Sequence, residues 1–521
     1  MRVILAGYNL DTETIRELRD FIHEVVVRLE KDRFQPLSPD LKQKILDELY
    51  ISALSLLERN NLTPETLSAA YARISRNPKP VNELREIARQ EVDRARKSNQ
   101  NIIFGLGHSS VAEHAVFNFD IIDVSRLAVE TIEHFRLASY TEKSQRYILF
   151  EDDFIIPEEL KNSPLLESYI QLIREQNSAY HRIYHRLRPY FFEKFSEAAK
   201  DIKNHSRLDG LAKEDARYVI SLATYTQLGM TVNARSLEHM ISRCSAHPLA
   251  EVKEYARNLY NVTRNLAPSL IKYVEPTPYL SDKNRHLQEF IHQHFEFDTA
   301  PAQSKEAEVQ LIDYPENLDE KILAAVLFHN QFASYSEAVN KICSLSKVEK
   351  REFFKKIFQD INPWDSVLRE FEFAHLTFQL IVSASNYGQL KRHRMVHIIP
   401  QNYNLDLGVV LPESISETHQ ESTFVEIIEK TNELYNTIQK TQPYAASYLL
   451  TNAHRRRVLL KINLRELYHF SRLREDEHAQ WDIRNIARKM HELISQKCPI
   501  AGELLGGKDI FNERYQNFFS R

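Results

Sequence analysis

Glycine is scarce in this chain, with 10 residues in 521, about a quarter of average usage. No G-x-G-x-x-G or Walker-type loop occurs, so any nucleotide or flavin must be held mainly by side chains. The three cysteines (Cys244, Cys343 and Cys498) stand far apart, without a C-x-x-C pair. This excludes a disulfide framework and indicates a reducing compartment. Neither H-E-x-x-H nor clustered Cys/His spacing is present, which predicts no metal site.

Long apolar runs are also missing. No stretch of about 18 apolar residues exists, and the apolar run near the N-terminus is too short for a signal peptide. We therefore predict a cytoplasmic protein without a membrane partner. A net charge of -4 and a pI near 6.6 argue against broad capture of nucleic acid. The best nucleic-acid candidate, HRRRVLLK (454–461), is more typical of a solvated helix face, so no nucleic-acid partner is predicted.

The length of 521 residues suggests two domains. Two halves repeat one order of elements, in which a Phe-rich strand such as AVFNFDI (115–121) leads into a helical segment. Each half then carries a long amphipathic helix, predicted over 165–187 and 423–440. Residues 309–326 read as the strand, turn and helix that open the second half.

Two similar segments within the chain strengthen this interpretation. TVNARSLEHM (231–240) and KINLRELYHF (461–470) both place Asn-x-Arg four residues before a histidine. Because the flanking elements recur in the same order, we predict a tandem duplication. The predicted limits are 1–275 for the first domain, 276–306 for a linker and 307–521 for the second domain.

The first candidate for chemistry is TEKSQRY (141–147). If this segment is extended, Glu142, Ser144 and Arg146 project to one side. A carboxylate, a hydroxyl and a guanidinium together make a seat for a nucleotide phosphate and sugar. A polar loop would look the same, so the pattern alone leaves both readings open.

The second candidate is QLKRHRM (389–395). Gln389 and Arg392 share a face if the segment is helical. Arg392, His393 and Arg394 then crowd donors at the helix end, where they would clamp an anionic ligand or cap helix carbonyls. A solvated basic patch is the alternative.

Several separated motifs, in order, resemble the flavin-dependent thymidylate synthases. That family carries a signature of the form R-H-R-x(2)-S-x-N-E-x-S-x-R-Y, which HFRLASYTEKSQRY (134–147) resembles. Further similar segments are GHSSVAEHAVFNF (107–119), DARYVISLATYTQLGMTVNARSL (215–237), the RHR at 392–394 and NLRELYHFSRLREDEHAQWDIR (463–484). The resemblance implies an α+β fold with two tandem domains, each with helices packed on a small, mostly antiparallel sheet, forming a pseudo-dimer.

The departures from the family pattern are complementary between the halves. The first half keeps the E-x-S-x-R residues and Arg217. Its basic triplet is reduced to HFR (134–136), the family glutamine is Thr131, and the late family arginine is matched only by Arg243, after a one-residue deletion. The second half keeps Gln389, RHR and Arg474. It replaces the phosphate-side residues with Pro400, Asn402, Asn404 and Ser447. In this family the site lies between subunits, so the resemblance implies one complete site drawn from both halves and one dead site.

The resemblance implies a role for each retained residue. Arg474 would lie at the uracil edge and favour the ionised ring, as the catalytic residue. The residues implied to bind dUMP are Glu142, Lys143, Ser144, Gln145, Arg146, Arg217, Gln389, Arg392 and Arg474. The residues implied to bind FAD are Ser110, Glu113, Glu142, Arg392, His393, Arg394, Asn463, Arg465, His469 and His478.

The implied reaction makes dTMP from dUMP. Methylenetetrahydrofolate is the carbon donor, NADPH the reductant, and the flavin carries the chemistry, without a protein nucleophile. A homodimer that mimics the family tetramer is expected. Two alternatives stay open: a non-catalytic nucleotide or flavin-binding scaffold or sensor, and a related flavoenzyme that acts on another uridine nucleotide.

Overall fold

The computed structural model of the protein describes residues 1–34, 38–59, 62–295 and 306–521. It contains two separate four-stranded antiparallel sheets, in the orders β1-β2-β4-β3 and β5-β6-β8-β7. The strands are β1 (Arg2–Tyr8), β2 (Val116–Ser125), β3 (Ala138–Glu142), β4 (Tyr225–Asn233), β5 (Val309–Asp313), β6 (His375–Ser383), β7 (His397–Pro400) and β8 (Arg455–Asn463). The same strand order in both sheets confirms the predicted α+β class with two related domains.

Helices make up most of the remaining structure. In chain order they are α1 (Thr12–Phe34), α2 (Pro39–Arg59), α3 (Glu65–Arg73), α4 (Val81–Gln90), α5 (Val92–Gln100), α6 (Arg126–Ile132), α7 (Leu166–Lys194), α8 (Ser196–Ala199), α9 (His205–Ala216), α10 (Ala234–Ser245), α11 (Ala250–Thr263), α12 (Pro278–His294), α13 (Leu318–Asn330), α14 (Tyr335–Cys343), α15 (Lys347–Phe358), α16 (Ala384–Leu390), α17 (Glu413–Glu417), α18 (Glu421–Gln439), α19 (Pro443–Ala446), α20 (Leu464–Arg474), α21 (Trp481–Ser495) and α22 (Phe511–Ser520). Among the described residues, no helix is both long and apolar enough to cross a membrane.

The chain forms two compact units. The first unit comprises residues 1–143, 157–159 and 225–296, and the second comprises 144–156, 160–224 and 297–521. This division differs from the predicted domain limits, because a large part of the first sequence repeat packs in the second unit. The predicted linker, 276–306, contains helix α12 over most of its length, and its residues 296–305 lie outside the described part of the chain.

Strand β2 shows why alternating residues form a sheet with one buried face. Phe117, Phe119 and Ile121 are buried, whereas Asn118 and Asp120 between them are exposed. Side chains alternate across a strand, so this pattern places the apolar residues on the core side. The predicted strand over 115–121 is therefore confirmed, and it continues to Ser125.

A shared capping arrangement shows the duplication in three dimensions. In the first unit, Ser125 caps α6 and its hydroxyl donates to Glu251, in the first turn of α11. In the second unit, Ser383 caps α16 and its hydroxyl donates to Asp482, in the first turn of α21. A cap residue satisfies an orphan helix N–H, and the carboxylate orients the cap.

The core of the second unit explains why this unit contains segments of both repeats. Helix α7, predicted over 165–187, and helix α18, predicted over 423–440, pack together through buried Tyr180, Ile183, Phe424 and Ile427. Gln176 joins them, since its amide donates to the Thr431 hydroxyl and to a backbone carbonyl. The apolar faces of helices from both repeats are thus buried against each other, which removes large apolar areas from water.

The sequence pattern predicted a helix face for the basic run at 454–461, and this prediction is wrong. It forms strand β8, with Arg455 and Arg457 paired to Glu308 and Glu306. Arg456, on the other face, lies over the Tyr403 ring at 3.8 Å. The prediction failed because a strand alternates its charges between two faces, whereas a helix would present three consecutive arginines on a wide arc.

Candidate active site in the second unit

The site begins at Asp482, a buried carboxylate that holds three elements together. Besides the Ser383 hydroxyl, it accepts the Asn386 amide at 2.9 Å and the Tyr218 hydroxyl at 2.9 Å. Tyr218 stands just after α9, and its ring stacks on Trp481 with centroids 5.6 Å apart. Asp482 therefore links the start of α16 to the start of α21 and to a segment of the first repeat.

A chain of hydrogen bonds leads from Tyr218 to Gln389. The Gln480 amide donates to the Tyr218 hydroxyl at 2.7 Å, and the Gln389 amide donates to Gln480 Oε1 at 3.0 Å. Gln480 is fully buried. Because the Gln389 nitrogen is used in this bond, its Oε1 is directed towards Arg474, which donates to it at 3.3 Å.

Arg474, at the end of α20, is held by three donor contacts. Its Nη2 donates to the Gln389 backbone carbonyl at 3.3 Å, and its Nε donates to His393 Nε2 at 2.9 Å, in addition to the Nη1 bond to Gln389. Burial, together with the nearby guanidiniums of Arg392 and Arg146, lowers the pKa of Arg474 to about 10. A guanidinium beside two others is a place where an anion or an electron-rich ring is stabilised.

Arg217 follows α9 and is buried, with 6% of its surface exposed. Its Nη2 donates to the Ser385 hydroxyl at 2.8 Å, and its Nε has no hydrogen-bond partner among the described residues. Asn452 bridges this region, since its amide donates to the Arg217 carbonyl and to Gln145 Oε1. The Gln145 Nε2 likewise has no partner among the described residues. Two buried donors without acceptors fit a ligand that brings oxygen atoms.

Arg146 lies in the turn that follows Ser144. Its Nε forms an ion pair with Glu214, and its two Nη atoms lie 3.4–3.5 Å from the His478 carbonyl oxygen. The pKa of Glu214 is raised overall, because the effect of burial exceeds the opposing effect of Arg146, Arg217 and Arg484. Glu214 thus serves as the buried carboxylate that holds Arg146 in place.

The E-x-S-x-R segment is only partly extended. Strand β3 ends at Glu142 and a turn covers residues 145–147, so the three side chains do not share one strand face. The boundary between the compact units falls after Lys143. In the first unit, Arg126 pairs with the Glu142 carboxylate and donates to the Lys143 carbonyl at 2.9 Å. Ser144, Gln145 and Arg146 belong to the second unit. The alternation rule failed here because the backbone leaves the sheet to form a turn.

The RHR segment lies at and beyond the end of α16. The helix ends at Leu390, so Gln389 is helical and Arg392 stands in the turn after it. His393 is buried, whereas Arg392 and Arg394 are exposed. The three residues follow the helix end as predicted, but Arg392 lies outside the helix and does not share a helical face with Gln389. Of the three, only His393 is buried.

The remaining flavin candidates have local partners. In the second unit, Asn463 caps α20, and Arg465 pairs with Glu372 at 2.9 Å. His469 and His478 are exposed, and His478 Nδ1 lies 2.9 Å from Asp476. In the first unit, Glu113 pairs with Arg235, the repeat equivalent of Arg465, and Ser110 lies in the turn before β2.

Sequence reasoning missed the residues that support the site. Tyr218, Gln480 and Asp482 lie in segments that resemble the family, but no role was predicted for them, and Ser385 lies outside those segments. A usable signal did exist for the asparagine in N-x-R, since Asn233 and Asn463 both end a strand and cap the next helix. The spacing rules also missed a group of potential metal ligands, His393, Glu466 and His469, whose ligand atoms lie within 4.8 Å of one another.

The first unit contains the repeat equivalents of the RHR segment, His469 and Arg474, with several residues replaced. Arg136 and Arg243 are exposed. Partial desolvation of the His134 ring, together with these two arginines, lowers the pKa of His134. The Phe135 and His239 rings meet edge to face with centroids 6.0 Å apart. The His393 and His469 rings of the second unit are also 6.0 Å apart. The two repeats therefore share the packing but differ in the polar groups.

From the buried carboxyl group of Asp215 we predict a pH-dependent stability of the second unit. It accepts Trp481 Nε1 at 2.7 Å and the Ser414 hydroxyl at 2.6 Å. Burial raises the pKa of Asp215 from 3.8 to about 7, although Ser414 and Trp481 donate to it. A carboxyl group whose pKa is raised by folding contributes stability at low pH, and that contribution is lost as pH rises from about 4 to about 7.

We expect Asp215→Asn to remove this pH dependence, because asparagine keeps an acceptor for Trp481 without a titrating proton. Between pH 5.5 and 8.5, the wild type should lose about 2 kcal/mol more unfolding free energy than the variant. Urea denaturation at both pH values measures the difference. The exposed Asp360→Asn is the matched control and should retain the wild-type slope. Equal slopes in Asp215→Asn and the wild type would contradict the prediction.

Comparison with known proteins agrees with this architecture. The family model described as "Thymidylate synthase complementing protein" matches residues 56–269 and again 310–500. The two matches together cover more than half of the chain and correspond to the two repeats. The chain therefore belongs to this family of flavin-dependent thymidylate synthases and carries its domain in duplicate.

Individual relatives fall into two groups. A flavin-dependent thymidylate synthase of Clostridium tetani is 29% identical over 218 residues, which is 41% of this chain and 83% of that protein. One from Geobacter sulfurreducens is 30% identical, over 41% of this chain and 83% of its own length. The UPF0159 protein of Thermoplasma acidophilum is 23% identical over 472 residues, 83% of this chain and 93% of its own, so that alignment spans both repeats.

Among solved structures, the Helicobacter pylori flavin-dependent thymidylate synthase complexed with FAD and dUMP aligns with a TM-score of 0.29. It is 17% identical and covers 41% of this chain and 96% of its own. A UMP/dUMP methylase from Streptomyces cacaoi, bound with 5-Br dUMP, aligns with a TM-score of 0.30 at 20% identity, over 40% of this chain and 89% of its own.

Proposed function

We propose that the chain makes dTMP from dUMP with methylenetetrahydrofolate and NADPH, as a flavin-dependent thymidylate synthase with one composite site. The observation that carries the proposal is the gathering of Arg146 and Arg217, from the first repeat, with Gln389 and Arg474, from the second, in one compact unit. The complementary losses of the two repeats support the same arrangement. A scaffold without turnover would have no need to keep both the arginines of the first repeat and the Gln389–Arg474 group of the second.

The phosphate of dUMP is assigned to the first-repeat side. Arg217 Nε and Gln145 Nε2 are buried donors for which the described part of the chain offers no acceptor, and a phosphate supplies oxygens for both. Arg146 adds a second guanidinium, with Ser144 and Lys143 beside it in the chain. Bidentate guanidinium contacts suit a phosphate better than point charges do.

The uracil ring is assigned to the second-repeat side. Gln389 and Arg392 hold the nucleotide opposite the phosphate clamp, and Arg474 lies at the ring edge. Of the five N–H groups of a guanidinium, three are used by Arg474 on Gln389 and His393. One N–H on each Nη remains for the ring, where a fixed positive charge stabilises the ionised pyrimidine.

The residue set also fits FAD. The exposed Arg392 and Arg394 present charge suited to a pyrophosphate, and exposed His469 offers a ring for a planar ligand. When bound, FAD supplies the methylene relay and the hydride of the reaction. In the second unit, the residues that would hold it are Arg392, His393, Arg394, Asn463, Arg465, His469 and His478.

The direct test is dTMP formation, or tritium release from 5-tritiated dUMP, in the presence of FAD, NADPH and methylenetetrahydrofolate. Turnover of dUMP with no turnover of UMP would support the proposal. Bound FAD without any product would contradict it in favour of a scaffold or sensor. Turnover of UMP in preference to dUMP would replace it with the related flavoenzyme.

A mixing experiment tests whether one chain builds the whole site. At dUMP concentrations well below the wild-type KM, we expect Arg146→Ala and Arg474→Ala each to keep about one hundredth of the wild-type activity or less. The loss should persist after co-expression with distinguishable tags and purification of the mixed oligomer. If the site instead drew its two sides from two chains, each mixed dimer would contain one intact site. Recovery of about half the activity per mixed dimer would therefore contradict an intrachain site.

A further inference from the structure

The group that orients Arg474 extends one residue beyond the proposed site. His393 Nε2 accepts from Arg474 Nε at 2.9 Å, and His393 Nδ1 lies 3.5 Å from Glu466 Oε1. The His393 side chain is 3% exposed and that of Glu466 is 11% exposed. Glu466 stands in the first turn of α20, and its backbone N–H is held by Asn463. The imidazole therefore lies between the carboxylate and the guanidinium, with one ring nitrogen near each of them.

The chemistry of the partners determines the His393 tautomer. A guanidinium has only donors, so Nε2 must present its lone pair to Arg474. The neutral imidazole then carries its proton on Nδ1, which faces the Glu466 carboxylate. Burial, with the charges of Arg474 and His469, lowers the pKa of His393 well below its ordinary value. The imidazole is therefore neutral near pH 7, and the tautomer is what matters.

We propose that Glu466 is a positioning residue that holds the His393 proton on Nδ1 and so keeps Nε2 available to orient Arg474. This inference rests on the proposed function only in the role given to Arg474. With Nε held by His393 and the Nη atoms held by Gln389, the guanidinium plane has one orientation. Without the Nε contact, only the two bonds to Gln389 would restrain rotation of that plane about the Cδ–Nε bond.

The first repeat is an internal control for this assignment. Phe135 stands at the His393 position and Ser236 at the Glu466 position, while the following histidine, His239, is kept. The two rings nonetheless pack at the same 6.0 Å centroid distance as in the second unit. The fold therefore forms without the Glu–His pair. Both members are present only in the repeat that has Arg474.

A metal ion on His393, Glu466 and His469 is the competing reading of the same atoms. A cation on Nδ1 would force the imidazole proton onto Nε2. That proton would then face the Arg474 Nε–H across 2.9 Å, two donors without an acceptor between them. The Arg474 contact thus disfavours a metal at this place.

The test reads the tautomer directly by nitrogen NMR on protein labelled with ¹⁵N-histidine, assigned with His393→Asn. In the wild type, we expect a protonated Nδ1 and an unprotonated Nε2 for His393. In Glu466→Leu, the two tautomers should become mixed and kcat should fall by about tenfold or more. The KM for dUMP should change less than kcat, because the phosphate contacts remain. Glu466→Gln keeps an acceptor and should restore the wild-type tautomer and kcat to within about threefold.

Matched controls separate positioning from folding. Glu492→Leu, on the exposed side of α21, should change neither the His393 spectrum nor kcat. A wild-type His393 with its proton on Nε2 would overturn the inference, as would an unchanged spectrum and kcat in Glu466→Leu. Zn²⁺ titration should leave the His393 resonances in place. A shift of these resonances would show a metal site and would overturn the positioning role of Glu466. Because the tautomer is read without substrates, the result does not depend on dTMP formation.

Discussion

Replacing Arg474 by alanine is expected to reduce dTMP formation by about a thousandfold or more, since single donors to a developing charge are worth about 10² to 10³ in rate. The variant loses the fixed charge at the uracil edge. It also removes the donor to Gln389 Oε1, the donor to the Gln389 carbonyl and the donor to His393 Nε2. The effect should appear mainly in kcat, because the charge acts most strongly on the ionised ring. Rates of tritium release from 5-tritiated dUMP measure it.

Arg474→Lys should recover little of this loss. A single ammonium cannot reach Gln389 and His393 together while keeping a donor for the ring. Arg243→Ala, which removes the arginine nearest to this position in the first repeat, is the matched control. Arg243 is exposed, so its loss should change the rate by less than about twofold. Comparable losses in the two alanine variants would contradict the assignment of the live site to the second unit.

Replacing Arg146 by alanine is expected to raise the KM for dUMP by about a hundredfold, through loss of a charge-assisted phosphate contact. The change also leaves the Glu214 carboxylate buried without its ion-pair partner. An unpaired buried charge costs about 3 kcal/mol of stability and would repel the incoming phosphate. Steady-state kinetics and urea denaturation measure the two effects separately.

The double variant Arg146→Ala/Glu214→Gln distinguishes binding from folding. Removing the stranded charge should restore most of the unfolding free energy, whereas dUMP affinity should stay low because the guanidinium is absent. Asn404→Ala, at the position that matches Arg146 in the second repeat, should leave KM nearly unchanged. Within the described ranges, its side chain accepts only the local Asp406 N–H. A normal KM in Arg146→Ala would contradict the assigned phosphate clamp.

Much of this architecture is present in local sequence pattern. The strand at 115–121 and the long helices near 165–187 and 423–440 follow from residue spacing, because alternation and helical periodicity report which face is buried. The duplication follows from two copies of N-x-R before a helix. The pattern was misleading at two places. Residues 141–147 were predicted as extended, but the strand ends and a turn follows; residues 454–461 were predicted as a helix face, but they form a strand.

The sequence by itself determined the repeat, the family resemblance and the unequal losses of the two halves, since each depends on residues close together in the chain. Only the tertiary structure decided that Arg146 and Arg217 share a unit with Gln389 and Arg474. It also decided that Tyr218, Gln480, Asp482 and Glu466 support that group. Arg217 and Ser385 are 168 residues apart, and Tyr218 and Asp482 are 264 apart. Such contacts depend on which apolar faces of distant helices are buried against each other, and no local spacing encodes that choice.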